Sequence, residues 1–283
     1  MIKKIVISFF LVVLVSLSLT ETLDTKSSEQ LDSALARSLT TFAAARALNG
    51  LVSVVQGTEI NISPVGMGAT FAPGQFLDPV NDMVERFSWV MLMSSVSIGA
   101  QEMMLHLGKT TLFKTLFALF TVLLLLQLWI PQLRESWSIS LSLKTVIVLT
   151  LLRFSVPGIV MINELVYEAV LAPQYERSMG EVVRTSSEVT VMIEDIQEQE
   201  QQLDKERSFM DKLNVSKQYE EFKQTLKERV NAFIETFNEA MESIIRLITV
   251  FIINSIVVPL GALWFFIYGT SALLRQEFLL EFE

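Results

Sequence analysis

Cysteine is absent from the chain, and a single histidine, His106, stands among its 283 residues. The first absence removes disulfide frameworks, thiolate metal sites and thiol nucleophiles together. The second leaves His106 without an imidazole partner. Glu102, one helical turn earlier, makes at most a two-ligand pair with it, and no third ligand is spaced to complete a metal site. Charge is scarce as well, at 19% of residues, where soluble domains carry about a quarter. The charge that exists is mostly negative, 31 acidic against 22 basic residues for a net of -9. A polyanion would be repelled, so nucleic acid is set aside as a partner. Gly108-Lys109-Thr110-Thr111 looks like the end of a phosphate-binding loop, but Met103 stands where that pattern needs its first glycine. Asp78, Asn81, Asp82 and Glu85 share a helix face without the spacing of a calcium loop, and the helix dipole alone favours acids there. With no paired nucleophile and base, the sequence predicts a protein that is not an enzyme and holds no cofactor or metal.

What the chain has instead is apolar residues, 51% of the total and gathered into runs. Residues 1–20 open with Lys3 and Lys4 ahead of IVISFFLVVLVSLSLT, the charge and apolar core of a signal anchor or signal peptide with its N-terminus in the cytoplasm. Residues 21–78 read as a small extramembrane α/β region. An amphipathic helix follows the capping box Ser27-x-x-Gln30, carries Leu31, Leu35, Leu39 and Phe42 on one face and closes at Asn49-Gly50 unless the apolar run after Gly50 prolongs it. A β-hairpin then turns at Ser63-Pro64-Val65-Gly66. Asp78 and Pro79 start the next helix as N-cap and first helical residue. Its charge-free stretch, Phe87 to Gln101, is shorter than the roughly 20 residues that cross a bilayer. Residues 79–111 are therefore expected as an interfacial, buried or re-entrant helix. Two transmembrane helices come next within 112–163, one over Thr115–Leu133 and one over residues 145–163, and another occupies 247–274 ahead of a short tail, 275–283.

Between the last two spans, residues 164–246 are polar and read as two long helices. Val182, Val189, Ile196, Leu203 and Met210 recur at seven-residue intervals. Tyr219, Phe222, Leu226, Val230, Phe233, Phe237, Met241, Ile244 and Ile248 step by three and four. Asn214-Val215-Ser216 supplies the turn between them. Helices joined by so short a turn lie antiparallel, which predicts a coiled-coil hairpin standing off the membrane. The fold class expected is thus mainly α: a multi-span helical membrane protein with that hairpin between its last two spans.

Arg153 is the residue most costly to place, since an arginine deep in a span costs at least about 2.5 kcal/mol and normally faces a partner. Glu102, Glu164 and Asn254 are the polar groups available to it, with Glu102 and Asn254 favoured. Pro157 removes the N–H that would bond the Arg153 carbonyl. The functional expectation is a scaffold or assembly protein of the cell membrane, of the bacterial inner-membrane type, whose hairpin binds copies of itself or another membrane or envelope protein. Phe222, Phe233, Phe237, Val189 and Ile196 are the candidate interface residues. The alternative is an oligomeric channel or transporter subunit that uses Arg153. Basic residues near the span ends place the hairpin on the non-cytoplasmic side, unless residues 79–107 cross the membrane and invert every later element.

Overall fold

The computed structural model describes the backbone over residues 2–57, 60–62, 69–71, 78–133, 136–210 and 215–275, with the side chains of 1, 57–77, 134–137, 196–197, 199–223, 225–227, 229–230, 233 and 272–283 outside the described set. Nearly all of it is helix: α1 (Ile2–Leu19), α2 (Thr22–Gly57), α3 (Asp78–Lys109), α4 (Thr111–Trp129), α5 (Ser136–Val166), α6 (Ala172–Met210), α7 (Val215–Ile252) and α8 (Val258–Arg275). One-turn π-helical segments, Tyr167–Leu171 and Ile253–Val257, join α5 to α6 and α7 to α8. Strands Ile60–Ile62 and Ala69–Phe71 pair antiparallel with Ile60 opposite Phe71; the turn residues 63–66 lie outside the described residues. Five helices are long and apolar enough to cross a membrane, over Ile2–Leu19, Thr22–Gln56, Thr111–Trp129, Ser138–Asp195 and Ile234–Ser271, which is consistent with a membrane location. Helix α3 is not among them.

The chain divides into two compact units. The first comprises Met1–Arg37, Ser94–Val170 and Ile252–Glu283. In it α1 and α4 run antiparallel. Lys4 Nζ donates to the Leu128 carbonyl at 3.2 Å and Trp129 Nε1 to Ser8 Oγ at 3.0 Å, so the start of α1 lies beside the end of α4. Gln127 Nε2 donates to Ser138 Oγ at 2.9 Å and brings the start of α5 to the same end. Leu11, Phe117, Leu124, Leu128 and Val146 form the core of this layer, and Phe117 meets Phe154 edge to face at 6.2 Å. A second cluster, Leu31, Ala34, Ile98, Leu105, Val156 and Val160, joins α2, α3 and α5. Helix α8 packs on α5 closely enough that a Cβ at Gly158 would lie 2.8 Å from Phe266 Cζ.

The second unit comprises Ser38–Met93 and Leu171–Phe251. Segments of α2, α3, α6 and α7 share one core of Ala45, Leu48, Val52, Val55, Val80, Val84, Phe87, Met91, Val182, Val189, Phe237, Ile244, Leu247 and Phe251. Polar contacts cross it where small side chains leave room: Ser38 Oγ donates to the Met91 carbonyl at 3.3 Å and Thr41 Oγ1 to Tyr175 Oη at 3.4 Å.

Of the two ends open to α2, the structure takes the later: the helix runs past Asn49-Gly50, because Val52 and Val55 prolong the buried stripe of Ala45 and Leu48 and hold the last two turns to the core. Its start needs correction, since the helix begins at Thr22, and Ser27, expected in a capping box, is a buried residue inside it. The helix expected over residues 145–163 begins at Ser136, so distances counted from Thr145 understate how far along it Arg153 stands.

Candidate functional site

Arg153 is the largest fully buried side chain among the described residues, with 2% of its surface exposed. Its guanidinium faces Asp24, donating from Nη1 to Oδ1 at 2.7 Å and from Nη2 to Oδ2 at 2.8 Å. Two parallel charge-assisted bonds of this length make the strongest pairing the two groups can form. Nε donates to Ser18 Oγ and Nη2 to the Ser18 carbonyl, both at 3.1 Å. Lys114 Nζ reaches Asp24 Oδ2 at 3.4 Å from the other side.

Helix ends explain why these groups meet. Ser18 lies in the last turn of α1, where carbonyls have no helical donor and the dipole favours a cation. Asp24 lies in the first turn of α2, where the dipole favours an anion. Lys114 lies in the first turn of α4, capped by Thr110, whose side chain accepts from the Phe113 N–H. The chain is interrupted twice here without folding back. Ser18 and Asp24 meet Arg153, while Leu31 and Ala34 of α2 lie further along α5 with Val156 and Val160. Ile98 and Leu105 of α3 lie in that same cluster while Phe117 of α4 meets Phe154, so α1–α2 and α3–α4 pass α5 in opposite directions. Lys109 Nζ, at the end of α3, donates to Ser28 Oγ in α2 at 3.1 Å. The polar cluster therefore marks one end of the α1–α4 pair, and Lys4 with Trp129 marks the other. From Lys4 to Ser18 the rise along α1 is about 21 Å at 1.5 Å per residue.

The partner of Arg153 is thus Asp24, and neither Glu102 nor Asn254. Glu102 lies 3.6 Å from His106 on the same helix, with the imidazole largely in the open. Glu164 lies 3.9 Å from Arg37, which stacks over the Tyr167 ring at 4.0 Å. Asn254 is buried in the second π-helical turn, and its Oδ1 has no hydrogen-bond partner among the described residues. The residue beside it does have one. Pro259 lacks the N–H that would bond the carbonyl of Ser255, four residues earlier, and Ser97 Oγ supplies that donor at 2.7 Å, while Ser255 Oγ donates to Ser94 Oγ at 2.9 Å.

Of the candidate interface residues, Val189 and Phe237 are fully buried in the four-helix core, where they serve the chain's own packing. The side chains of Ile196, Phe222 and Phe233 lie outside the described residues. Asp78 Oδ1 accepts from Gln56 Nε2 at 3.3 Å and Asp82 pairs with Arg86 at 3.2 Å, an exposed arrangement of caps and ion pairs. Among the described residues no group of three or more His, Asp or Glu is placed to hold a metal ion. Comparison with protein-family models, characterised proteins and solved structures finds no match to this chain.

Sequence reasoning missed Asp24, Ser18 and Lys114. The available signal was an acid placed a few residues after an apolar helix, beside an arginine that had to find one. Assigning residues 21–78 to an extramembrane region hid that pairing.

Proposed function

We propose that the protein is a non-enzymatic integral membrane protein whose α6–α7 hairpin is its means of assembly, with copies of itself or with another membrane or envelope protein. What supports the reading is the length of the two helices and the apolar spacing the sequence carries along them. Helix α6 extends from Ala172 to Met210 and α7 from Val215 to Ile252. The stretch from Val215 to Ile234 alone is about 28 Å at 1.5 Å per residue. The sequence carries Phe222, Leu226, Val230 and Phe233 along that stretch at helical spacing. Apolar residues so spaced call for a covering surface.

Phe237 is unsuitable for testing this reading, because it belongs to the chain's own core. Changing Phe222 and Phe233 together to serine is expected to lower the native mass in detergent to that of the monomer, with membrane insertion retained. An unchanged mass would remove the hairpin as the association surface. In this reading α1, α4, α5 and the stretch 247–274 of α7 and α8 cross the bilayer in a cell membrane of bacterial inner-membrane type. Lys3 and Lys4 hold the start of α1 in the cytoplasm, so α5 enters from that side and the hairpin stands on the other. A reporter fused at Asn214 that is active only in the cytoplasm would overturn that sidedness. The channel or transporter reading draws less support. Arg153, its main motive, is engaged by Asp24 and Ser18 as a tie between helices.

A further inference from the structure

We infer that the corner between α3 and α4 binds a phosphate-bearing anion, in a bilayer the headgroup of an anionic phospholipid, through Lys114, Arg153 and Lys109. Three observations converge on it. The first is charge. Arg153 and Lys114 share the single carboxylate of Asp24, so the three groups together carry one uncompensated positive charge. The pair is buried, and Lys114 is 16% exposed. Taking a net charge out of water is costly unless a counter-charge approaches it. The charged residues flanking Asp24 in sequence, Glu21 and Lys26, are both exposed and of opposite sign.

The second observation is an unused donor. A guanidinium has five N–H groups, and the bonds to Ser18 and Asp24 occupy one on Nε, two on Nη2 and one on Nη1. The remaining Nη1 proton lies on the nitrogen nearest Gly108, where a Cβ would stand 3.8 Å away. That nitrogen is thus beside the α3–α4 corner at Gly108, one residue from Lys109 in sequence. The third is the corner itself. Gly108-Lys109-Thr110 leads into the N-terminus of the 19-residue α4, where Thr110 accepts from the N–H groups of Phe113 and Lys114, those of Thr111 and Leu112 precede the first helical bonds, and the dipole favours an anion. The residues that fail as a nucleotide loop by sequence keep the part of that loop which attracts phosphate, a lysine and a helix N-terminus, at a place where two apolar helices end. A phosphate attached to acyl chains fits such a boundary, since its headgroup meets the cations while its chains lie along α1 and α4.

The test uses the full-length protein in nanodiscs of phosphatidylcholine with or without phosphatidylglycerol, read by native mass spectrometry and thermal unfolding. The wild type is expected to retain phosphatidylglycerol in preference to phosphatidylcholine and to unfold several degrees higher in its presence. Lys114→Gln leaves the Arg153–Asp24 pair in place and should lower that preference at least tenfold. Lys144→Gln, on the same helix as Arg153 but away from the corner, should leave it unchanged. Inorganic phosphate added at millimolar concentration separates the sources. Displacement of the lipid assigns the site to phosphate anions in general, and failure to displace assigns it to the lipid headgroup. Equal retention of both lipids by the wild type, or an unaltered preference in a folded Lys114→Gln protein, would overturn the proposal.

Discussion

Replacing Arg153 by leucine tests whether its cluster is a tie between helices or an accident of burial. The substitution removes two charge-assisted bonds to Asp24 and two bonds to Ser18, one of them to a carbonyl that α1 itself cannot satisfy. Breaking a buried ion pair from one side costs about 3–5 kcal/mol, because the other charge stays behind. Asp24 is not wholly abandoned, since Lys114 remains at 3.4 Å, so the expected loss is at the lower end, about 3 kcal/mol. Asp24→Asn should cost more than Arg153→Leu, because it leaves two cations facing one another. Lys114→Gln should cost least, because its group is partly solvated and the bidentate pair survives. The double variant Asp24→Leu with Arg153→Leu should recover most of the loss, as buried pairs replaced by apolar residues of similar volume often do. Reversible unfolding in mixed micelles, followed by helicity, measures all four. A raised or unchanged midpoint for Arg153→Leu would refute the reasoning, as would a different order among the single variants.

Three further outcomes rest on the packing. Gly158→Ala is expected to destabilise by about 1–3 kcal/mol through overpacking against Phe266, and Phe266→Leu in the same chain should restore part of it in the same unfolding assay. Ser97→Ala removes the hydrogen bond that Ser97 Oγ donates to the Ser255 carbonyl and is expected to cost about 1 kcal/mol; adding Pro259→Ala returns a backbone N–H and should shrink that penalty, which a double-mutant cycle reads directly. Phe237→Ser empties a fully buried position in the four-helix core and should lower the unfolding free energy by about 3–5 kcal/mol, whereas Phe233→Ser is expected to act on native mass with a smaller change in stability.

Long apolar runs are legible in the sequence because a helix in a bilayer must satisfy its own backbone, which leaves a continuous stretch without charge. The apolar periods of α6 and α7 are legible for a similar reason: Val182, Val189, Phe237 and Ile244 are all buried. What covers them is not. The stripe on α6 alternates with small polar residues, and Ser178 and Thr185 are buried beside Val182 and Val189. Taken by itself, that seam is too narrow for a two-helix hairpin and asks for an outside partner. The cover comes from α2 and α3 of the same chain, whose apolar residues Leu48, Val52, Val84 and Phe87 are distant in sequence. Periodicity states which face of a helix is buried and is silent about the neighbour. The end of α2 is hard to place because Gly50 resembles a helix stop, yet it meets nothing within 4 Å and is simply a helical residue on an open face.

Arg153 stands out in the sequence as a residue requiring a partner, but its depth there is measured along one helix. Depth in a bundle is set by which other helices end nearby. The end of α1 and the starts of α2 and α4 meet at Arg153, and this bears on sidedness as well. A membrane-crossing α3 would invert every later element only if α2 contributed no crossing of its own. The bond between Lys109 and Ser28 places the end of α3 beside the start of α2, so α2 and α3 leave and return to the same level. Whether both enter the bilayer or neither does, the number of crossings they add is even, and α4 starts on the side where α1 ends. Lys109 and Lys114, which the rule of positive charge near the cytoplasm would place on the other side, are then accounted for by local chemistry: one is bonded to Ser28, the other to Asp24. The proposed sidedness therefore rests on α1 alone, through Lys3 and Lys4. Moving those two lysines to the far end of α1 should invert the reporter fused at Asn214, while neutralising Lys109 should leave its orientation as it was. Inversion by the Lys109 change would break the argument, because it would mean that the α2–α3 excursion, and not α1, sets the orientation of α4 and every helix after it.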